Sequence, residues 1–271
     1  MTHKDDFGDR MKELEMAEAG RKFMKGLPIA CRWDGKGFSR FTRGLQRPFD
    51  ERLTNLMVAT TKFLLEQMNA VVAYTQSDEI SAILYTSDPH SETFFNGRIQ
   101  KITSVGAALA TAYFNKNLPE FIPEKKDDLP VFDLRVWNVP SEMEAANVII
   151  WREQDATKNA ISMAARHYYS HKELMNKSGK EMQEMLFQKG INFNDYPAFF
   201  KRGTYVRKIT KNSYLSENEI EKLPPKHHAR NDPSKPIVRQ VIDTLNLPPM
   251  SKVKNKVGVL LHGEEPEMGE E

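Results

Sequence analysis

The sequence is poor in cysteine and has no long apolar run, and both absences limit what the protein can be. Its 271 residues include one cysteine, Cys31, which excludes a disulfide framework or a cysteine-rich zinc site. No stretch approaches the ~18 apolar residues of a membrane span, and the first 20 residues lack the apolar core of a signal peptide. We therefore expect a cytoplasmic protein without membrane contact.

Charge is nearly balanced over the whole chain but not along it. Lys and Arg number 39 and Asp and Glu 37, for a net charge of +2. Residues 264–271 hold five glutamates and no Lys or Arg, so the chain without them would carry +7. A mildly basic body permits an anionic partner without requiring one.

Apolar periodicity predicts the element order strand, helix, strand, strand, helix, strand. The predicted elements are a strand at 27–33, a helix at 50–68, two strands within 71–85, a helix at 97–115 and a strand at 131–137. A capping box at Ser141 and Glu144 begins another long helix that runs to about Tyr169. The order is that of an α+β fold with a palm-like, ferredoxin-type βαββαβ sheet, helices on one face and a mixed C-terminal extension.

Three regions follow along the chain. We expect a palm-like domain with an N-terminal helix at 1–140, a helical and basic C-terminal region packed on it at 141–263, and an acidic tail at 264–271. Within the C-terminal region, 236–247 is interpreted as a short helix and 256–261 as a late strand.

Acidic residues follow the first and second predicted strands. In the βαββαβ order the first and third strands lie side by side and antiparallel, so Asp34 meets Asp78 and Glu79 at one edge of the sheet. Such carboxylates can hold two Mg²⁺ ions ~4 Å apart for phosphoryl or nucleotidyl transfer. These three are the candidate catalytic residues, although Asp-Gly and Ser-Asp-Glu are also common turn sequences.

A glycine-containing loop follows Asp34. Gly35 and Gly37 let the backbone approach a triphosphate closely. No Walker A sequence is present, so a P-loop ATPase is not indicated. Four cations are candidates for neutralising the triphosphate: Lys36, Arg47, Arg98 and Lys101.

A basic segment at 201–211 is a candidate RNA interface. Its cations Lys201, Arg202, Arg207 and Lys208 could bind phosphates while Tyr205 stacks on a base. An ordinary solvent-exposed charged face explains the segment equally well.

Several motifs occur in order over residues 5–210. They are Arg32-Trp33-Asp34-Gly35-Lys36-Gly37-Phe38, Arg47-Pro48-Phe49-Asp50, Tyr74-Thr75-Gln76-Ser77-Asp78-Glu79-Ile80-Ser81, Phe95-Asn96-Gly97-Arg98 with Lys101, Phe132-Asp133, Trp151-Arg152 with Asp155, Leu186-Phe187, Gly190-Ile191-Asn192-Phe193 and Lys201-Arg202-Gly203. This series resembles the tRNA(His) guanylyltransferase superfamily of 3′–5′ polymerases, especially its bacterial and phage guanylyltransferase-like members.

The resemblance implies roles for individual residues. Asp34 and Asp78 would bind both metal ions together with the Gly35 carbonyl, and Glu79 would support them. Arg98 and Lys101 match basic residues near the phosphates, and Arg47 stands where many members have Lys. The triphosphate would be held by Ser77 and by the backbone of Asp34, Gly35, Lys36, Gly37, Phe38 and Ser39.

The resemblance also implies a reaction and partners. ATP would adenylylate the 5′-monophosphate of a tRNA, and the 3′-hydroxyl of an incoming nucleotide, usually GTP, would attack the activated phosphate. Magnesium would serve as the cofactor. Family members are commonly tetramers, so a homo-oligomer is expected.

One departure from the family bears on the reaction. Eukaryotic members carry His-Ile-Asn-Asn-Leu-Tyr-Asn after the Trp-Arg helix, and residues 157–163 here read Thr-Lys-Asn-Ala-Ile-Ser-Met. Asn159 alone matches, and it is kept as a candidate tRNA contact. The change favours templated repair of truncated tRNA 5′ ends over obligatory addition of G to tRNA(His).

Two other functions remain open on the sequence. A nucleotidyl cyclase would use the same carboxylates on the same type of sheet. A non-catalytic RNA-binding module would depend on residues 201–211 and be indifferent to Mg²⁺.

Overall fold

The computed structural model describes residues 6–88, 90–225, 227–232, 234 and 236–269. The strands are β1 (Ile29–Lys36), β2 (Val72–Gln76), β3 (Glu79–Leu84), β4 (Val131–Asn138), β5 (Thr204–Ser213) and β6 (Ile237–Leu245). The longer helices are α1 (Asp6–Ala19), α3 (Glu51–Gln67), α4 (Ile99–Phe121), α5 (Glu142–Tyr168) and α7 (Gly179–Gln188). The short ones are α2 (Phe38–Phe41), α6 (His171–Leu174), α8 (Ala198–Arg202), α9 (Glu217–Lys222) and α10 (His228–Asn231). The predicted order β1-α3-β2-β3-α4-β4 is confirmed.

The strands form one antiparallel sheet in the order β4-β1-β3-β2-β5-β6. The predicted helix ends are also present. The Asp50 side chain caps α3 by accepting the Arg52 N–H at 3.0 Å, and the Ser141 hydroxyl caps α5 by accepting the Glu144 N–H at 3.2 Å. Such caps satisfy backbone donors that a helix start leaves without intrahelical partners.

Successive side chains along a strand point to opposite faces of the sheet, and here both faces are buried. Cys31 and Trp33 pack with α3 and α4, whereas Ala30 and Ile83 pack with α5. The two helices of the βαββαβ unit, α3 and α4, therefore lie on one face as expected, and α5, which belongs to the predicted C-terminal region, covers the opposite face. Its apolar stripe includes Ala146 and Ile149, and these side chains must also be buried.

The region after α5 differs from its predicted elements. Residues 237–245 form strand β6 instead of a helix, since β-branched residues pair along β5 from Tyr205↔Leu245 to Ser213↔Ile237. The predicted strand at 256–261 is wrong as well, because Gly258–His262 is a turn of π-helix. Part of the acidic tail is ordered: the Lys254 N–H donates to the Glu267 carbonyl at 2.8 Å. Residues 270 and 271 of that tail, and residues 1–5, lie outside the described residues.

Among the described residues, no helix is both long and apolar enough to cross a bilayer.

A buried carboxylate joins α5 to the C-terminal region. Glu153 accepts the Tyr205 hydroxyl and, at 3.1 Å, the Met250 N–H. Burial raises the pKa of Glu153 above its ordinary 4.5, and these two hydrogen bonds oppose the rise. The link stabilises β5 against α5, but at neutral pH it requires a charge in a poorly solvated place.

The pH dependence of stability tests this link through Glu153→Gln. Below pH 4.5 the Glu153 carboxyl is protonated in the folded and unfolded chain, so its burial costs no ionisation energy. As the pH rises through the raised folded pKa, the wild type loses stability relative to the Gln variant. Urea unfolding at several values between pH 4 and 8 measures the free energy of unfolding of both proteins. The value for the wild type minus that for Glu153→Gln should fall as the pH rises. A constant or opposite difference, or the same trend in the exposed matched variant Glu66→Gln, would contradict it.

Candidate active site

The acidic segments at the ends of β1 and β2 meet at one edge of the sheet. Asp34 pairs with Glu79 in the β1–β3 register, and the Gly35 N–H donates to the Asp78 carbonyl oxygen at 3.1 Å. Because β1 and β3 are central strands, the position of this edge is fixed by pairing on both sides. The predicted juxtaposition of Asp34 with Asp78 and Glu79 is present.

These carboxylates face the α5 side of the sheet. The preceding residue in β1, Trp33, is buried on the α3/α4 side. Because successive side chains of a strand point to opposite faces, the Asp34 side chain lies on the α5 side. Between this face and α5 is a cavity of about 370 Å³, named here the catalytic cavity. Its lining is Asp34, Gln76, Ser77, Asp78, Glu79, Arg152, Asn159, Ser162, Met163 and Arg166.

Glu79 is held by an arginine from α5. Its carboxylate accepts two hydrogen bonds from Arg152, one of them 2.9 Å long, and Arg152 also donates to Asp155 at 3.0 Å. Burial raises the pKa of Glu79 and the Arg152 charge opposes the rise. Glu79 is thus suited to supporting the edge while its oxygens stay bound to Arg152.

Asp78 and Asp34 form the less compensated acidic pair. Burial raises the pKa of Asp78, and the nearby Asp34 charge adds to the rise. Asp34 is partly exposed, and its nearest recorded cation, Arg135, lies 3.9 Å from the carboxylate. A cation bound between the two aspartates would relieve this repulsion.

The oxygen donors at the edge suit magnesium. Among the residues that the structure describes, no group of three or more His, Cys, Asp or Glu is arranged to hold a metal. Mg²⁺ does not need such a cage, since proteins commonly bind it through one or two carboxylates and substrate phosphates. Asp34, Asp78 and the Gly35 carbonyl are donors of that type.

The loop after Asp34 is shaped by close packing. A Cβ at Gly35 would lie 2.3 Å from the Phe38 ring, and Gly37 has a φ of 69°, in the left-handed region. The Phe38 ring is buried against Phe41, Phe114 and Phe132. Phe38 therefore offers a ligand only its backbone, whereas Lys36 and Ser39 are exposed.

The four candidate cations are not all in one place. Arg47 lines a small adjoining cavity of about 100 Å³ that shares Gln76, Ser77 and Met163 with the catalytic cavity. Arg98 and Lys101 lie at the start of α4, where the Ile99 N–H donates to the Arg21 carbonyl at 3.0 Å. About 24 Å of helix separates Arg98 from Phe114, the part of α4 that packs near the catalytic edge. The structure does not bring Arg98 and Lys101 to the cavity within one chain.

The candidate tRNA contacts also lie in more than one place. Asn159 lines the catalytic cavity, and Lys201 and Arg202 line a cavity of about 460 Å³ together with Glu153 and Lys158 of α5.

The basic segment 201–211 is otherwise part of strand β5. Tyr205 is only 5% exposed, so the prediction that it stacks on a base is wrong: its ring belongs to the core. Arg207 donates to the Val259 carbonyl at 3.0 Å, and Lys208 donates to Asn69 at 2.7 Å. Both cations contact the fold through their charged ends.

Sequence reasoning assigned no role to several residues of the cavity lining. Arg152 was part of a recognised motif, yet its contact with Glu79 joins positions 73 residues apart. Ser162 and Arg166 follow Asn159 at intervals of three and seven, which places them on one face of α5. This helical spacing is the feature of the sequence from which Ser162 and Arg166 could have been predicted to lie beside Asn159.

Comparisons with known proteins agree with this geometry. The family model described as "Thg1: tRNAHis guanylyltransferase" matches residues 8–140. The tRNA(His) guanylyltransferase of Saccharomyces cerevisiae is 32% identical over 213 residues, 72% of this chain and 87% of the yeast protein. The chain belongs to the tRNA(His) guanylyltransferase family. It is accordingly a nucleotidyltransferase.

Solved structures of this family share the fold. A bacterial tRNA(His) guanylyltransferase (Thg1)-like protein in complex with ATP superimposes with a TM-score of 0.76 at 35% identity, over 94% of this chain and 99% of that one. A bacterial protein of the same description in complex with GTP gives a TM-score of 0.69 at 34% identity, over 92% and 95% of the two chains. The α+β, palm-like architecture predicted from the sequence is therefore confirmed.

The Glu79–Arg152 contact has a measurable consequence for stability. Arg152→Gln removes charge-assisted hydrogen bonds to Glu79 and Asp155. One such bond is worth about 1.5–3 kcal/mol, so we expect the free energy of unfolding to fall by at least about 2 kcal/mol. Arg135→Gln is the control, since Arg135 is 54% exposed and lies 3.4 Å from Asp133. That exposed pair is worth about 0–1 kcal/mol. Equal losses for the two variants in urea unfolding would contradict the prediction.

Proposed function

We propose that this protein adds nucleotides to the 5′ end of tRNA in the 3′–5′ direction, directed by the opposing strand, and so repairs truncated tRNA 5′ ends. The observation that carries the proposal is the hydrogen bond from Gly35 to Asp78, which joins the two acidic segments at one sheet edge beside the catalytic cavity. Family membership supports tRNA as the substrate. We also propose a cytoplasmic location and assembly as a tetramer.

ATP and GTP are the proposed nucleotide substrates. The bacterial relatives solved with ATP and with GTP support this choice. Ser77 and the exposed backbone around Lys36 and Gly37 lie next to the carboxylates, where a triphosphate would approach them. Arg47 lies beside Ser77 through the adjoining cavity.

Asp34, Asp78 and the Gly35 carbonyl would hold two Mg²⁺ ions. Bound there, magnesium supplies charge neutralisation and lowers the pKa of an attacking hydroxyl. Arg152 keeps Glu79 in place behind the two aspartates. The sheet edge is rigid because Asp34, Gly35 and Glu79 lie on paired strands and Asp78 lies on the turn between two of them, and rigid elements position reacting groups well.

The proposed reaction has two transfers. The 5′-phosphate of the tRNA attacks the α-phosphate of ATP, forming an adenylylated 5′ end and releasing pyrophosphate. The 3′-hydroxyl of the incoming nucleotide then attacks the activated 5′-phosphate, loses its proton and releases AMP. Asn159 in the catalytic cavity, and Lys201 and Arg202 in the neighbouring cavity, are proposed to contact the RNA. Arg207 and Lys208 are weaker candidates, because their charged ends have protein partners and neither residue lines the neighbouring cavity. Lys201 does line it, with its ammonium donating to the Asn194 carbonyl at the cavity wall.

The aspartates provide the direct test. We expect Asp34→Ala and Asp78→Ala to lower addition of a nucleotide by at least about 10² to 10³-fold, the scale on which loss of one preorganised electrostatic contact lowers kcat. The assay incubates a tRNA lacking its first nucleotide with ATP, GTP and Mg²⁺ and measures its length. Asp133→Ala is the matched control, since Asp133 shares the sheet face with Asp34 but does not line the cavity.

The same assay separates templated repair from other reactions. Lengthening by one nucleotide should require C opposite the added G. Addition opposite any base would contradict templating, and full activity of either aspartate variant would contradict the assigned site. Conversion of GTP to a cyclic nucleotide without RNA would instead indicate a cyclase.

A further inference from the structure

The charged residues of the catalytic cavity include two arginines with different surroundings. The Arg152 guanidinium donates to Glu79 and Asp155 and is only 12% exposed. Arg166 also lines the cavity, but it is exposed. Within the described part of the chain, the structure records no ion pair for Arg166. Arg166 is therefore the cavity arginine available to a ligand.

Helix α5 fixes the approach of Arg166. Asn159, Ser162 and Arg166 lie on the face of α5 that borders the cavity, and they lie across it from the Ser77–Asp78 turn. Between them, Ala160 and Ala164 are fully buried against the layer that contains α7 and α8. The backbone that carries Arg166 is thus held in place while its side chain stays free to bind.

We infer that Arg166 binds a phosphate group of the substrate in the catalytic cavity. A guanidinium presents a planar fork of donors that matches two phosphate oxygens. The other charged residues of the cavity are three carboxylates and Arg152, which is already bound to Glu79 and Asp155, so a phosphate entering the cavity gains from the Arg166 cation. Arg47 lines the adjoining cavity, which also contains Ser77, so each of the two cavities at this turn has an arginine in its lining.

Two substrates could supply this phosphate, and the inference rests on the proposed function for both. One is the triphosphate of ATP or GTP, and the other is the 5′-monophosphate of the tRNA. Their shared chemistry is a phosphate dianion that would accept hydrogen bonds from Arg166.

The test measures binding without turnover. Dissociation constants are determined for Mg·GTP and Mg·ATP without RNA, and for a 5′-monophosphorylated and a 5′-hydroxyl tRNA without nucleotide. We expect Arg166→Gln to weaken binding of a triphosphate, or of the monophosphorylated tRNA relative to the hydroxyl form, by about tenfold or more, as for loss of charge-assisted hydrogen bonds. Arg166→Lys should retain part of the affinity because it keeps the charge but not the fork.

Arg10→Gln is the matched control. Arg10 lies on α1 and lines neither the catalytic cavity nor the adjoining cavity of Arg47, and its loss removes the same single charge. A loss confined to the triphosphates assigns Arg166 to the nucleotide, and a lost preference for the monophosphorylated tRNA assigns it to the RNA end. Affinities within about twofold of Arg10→Gln for all four probes would overturn the inference.

The same variants distinguish an effect on folding from an effect on ligand binding. The unfolding midpoint of Arg166→Gln should equal that of the wild type, and Arg166→Lys carries the test if the Gln variant does not fold. If the wild type binds these probes but does not extend tRNA, the proposed function fails while the Arg166 assignment is judged by its binding alone. If the wild type extends tRNA and Arg166→Gln binds normally, only the Arg166 assignment fails.

Discussion

The site depends on the hydrogen bond between the Gly35 N–H and the Asp78 carbonyl, 3.1 Å long. It continues the pairing of β1 with β3 past the end of the ladder and into the β2–β3 turn. Without it, Asp78, in the two-residue turn between β2 and β3, would be held near Asp34 only through its neighbour Glu79, which pairs with Asp34. With it, both aspartates share the rigidity of β1, which is paired on one side to β3 and on the other to β4. A glycine at 35 is also required because any side chain there would meet the Phe38 ring.

Placing three carboxylates together costs stability, and the fold offsets this with arginines from separate elements. Burial and like charge raise the pKa of Asp78, while Arg152 reaches Glu79 from α5 and Arg135 approaches Asp34 from β4. The repulsion that remains lies between Asp34 and Asp78. A cation bound between them would compensate it, so the arrangement of the pair favours binding more than stability.

Elements with strong local signals could be predicted, and those that depend on distant partners could not. The βαββαβ order and the cap at Asp50 follow from periodicity and short-range hydrogen bonds, and the meeting of Asp34 with Asp78 follows from topology. Strands β5 and β6 were missed because their charged residues hide the alternation, and pairing across more than 20 residues decides their structure. Arg98 was expected near the phosphates, although the topology itself argues otherwise: β3 runs away from the catalytic edge, so α4 begins at the opposite edge.

Helix α5 connects the catalytic cavity with the C-terminal region. One of its faces carries Arg152 and Asn159 into the catalytic cavity, while the neighbouring face carries Glu153 and Lys158 to the cavity lined by Lys201 and Arg202. Glu153 fixes the second face to β5 and to Met250. Because β5 in turn pairs with β2, which ends at Gln76 beside the catalytic turn, the C-terminal strands contact the site from two directions. A shift of α5 would therefore move the linings of both cavities together, so the two cavities keep a fixed spacing.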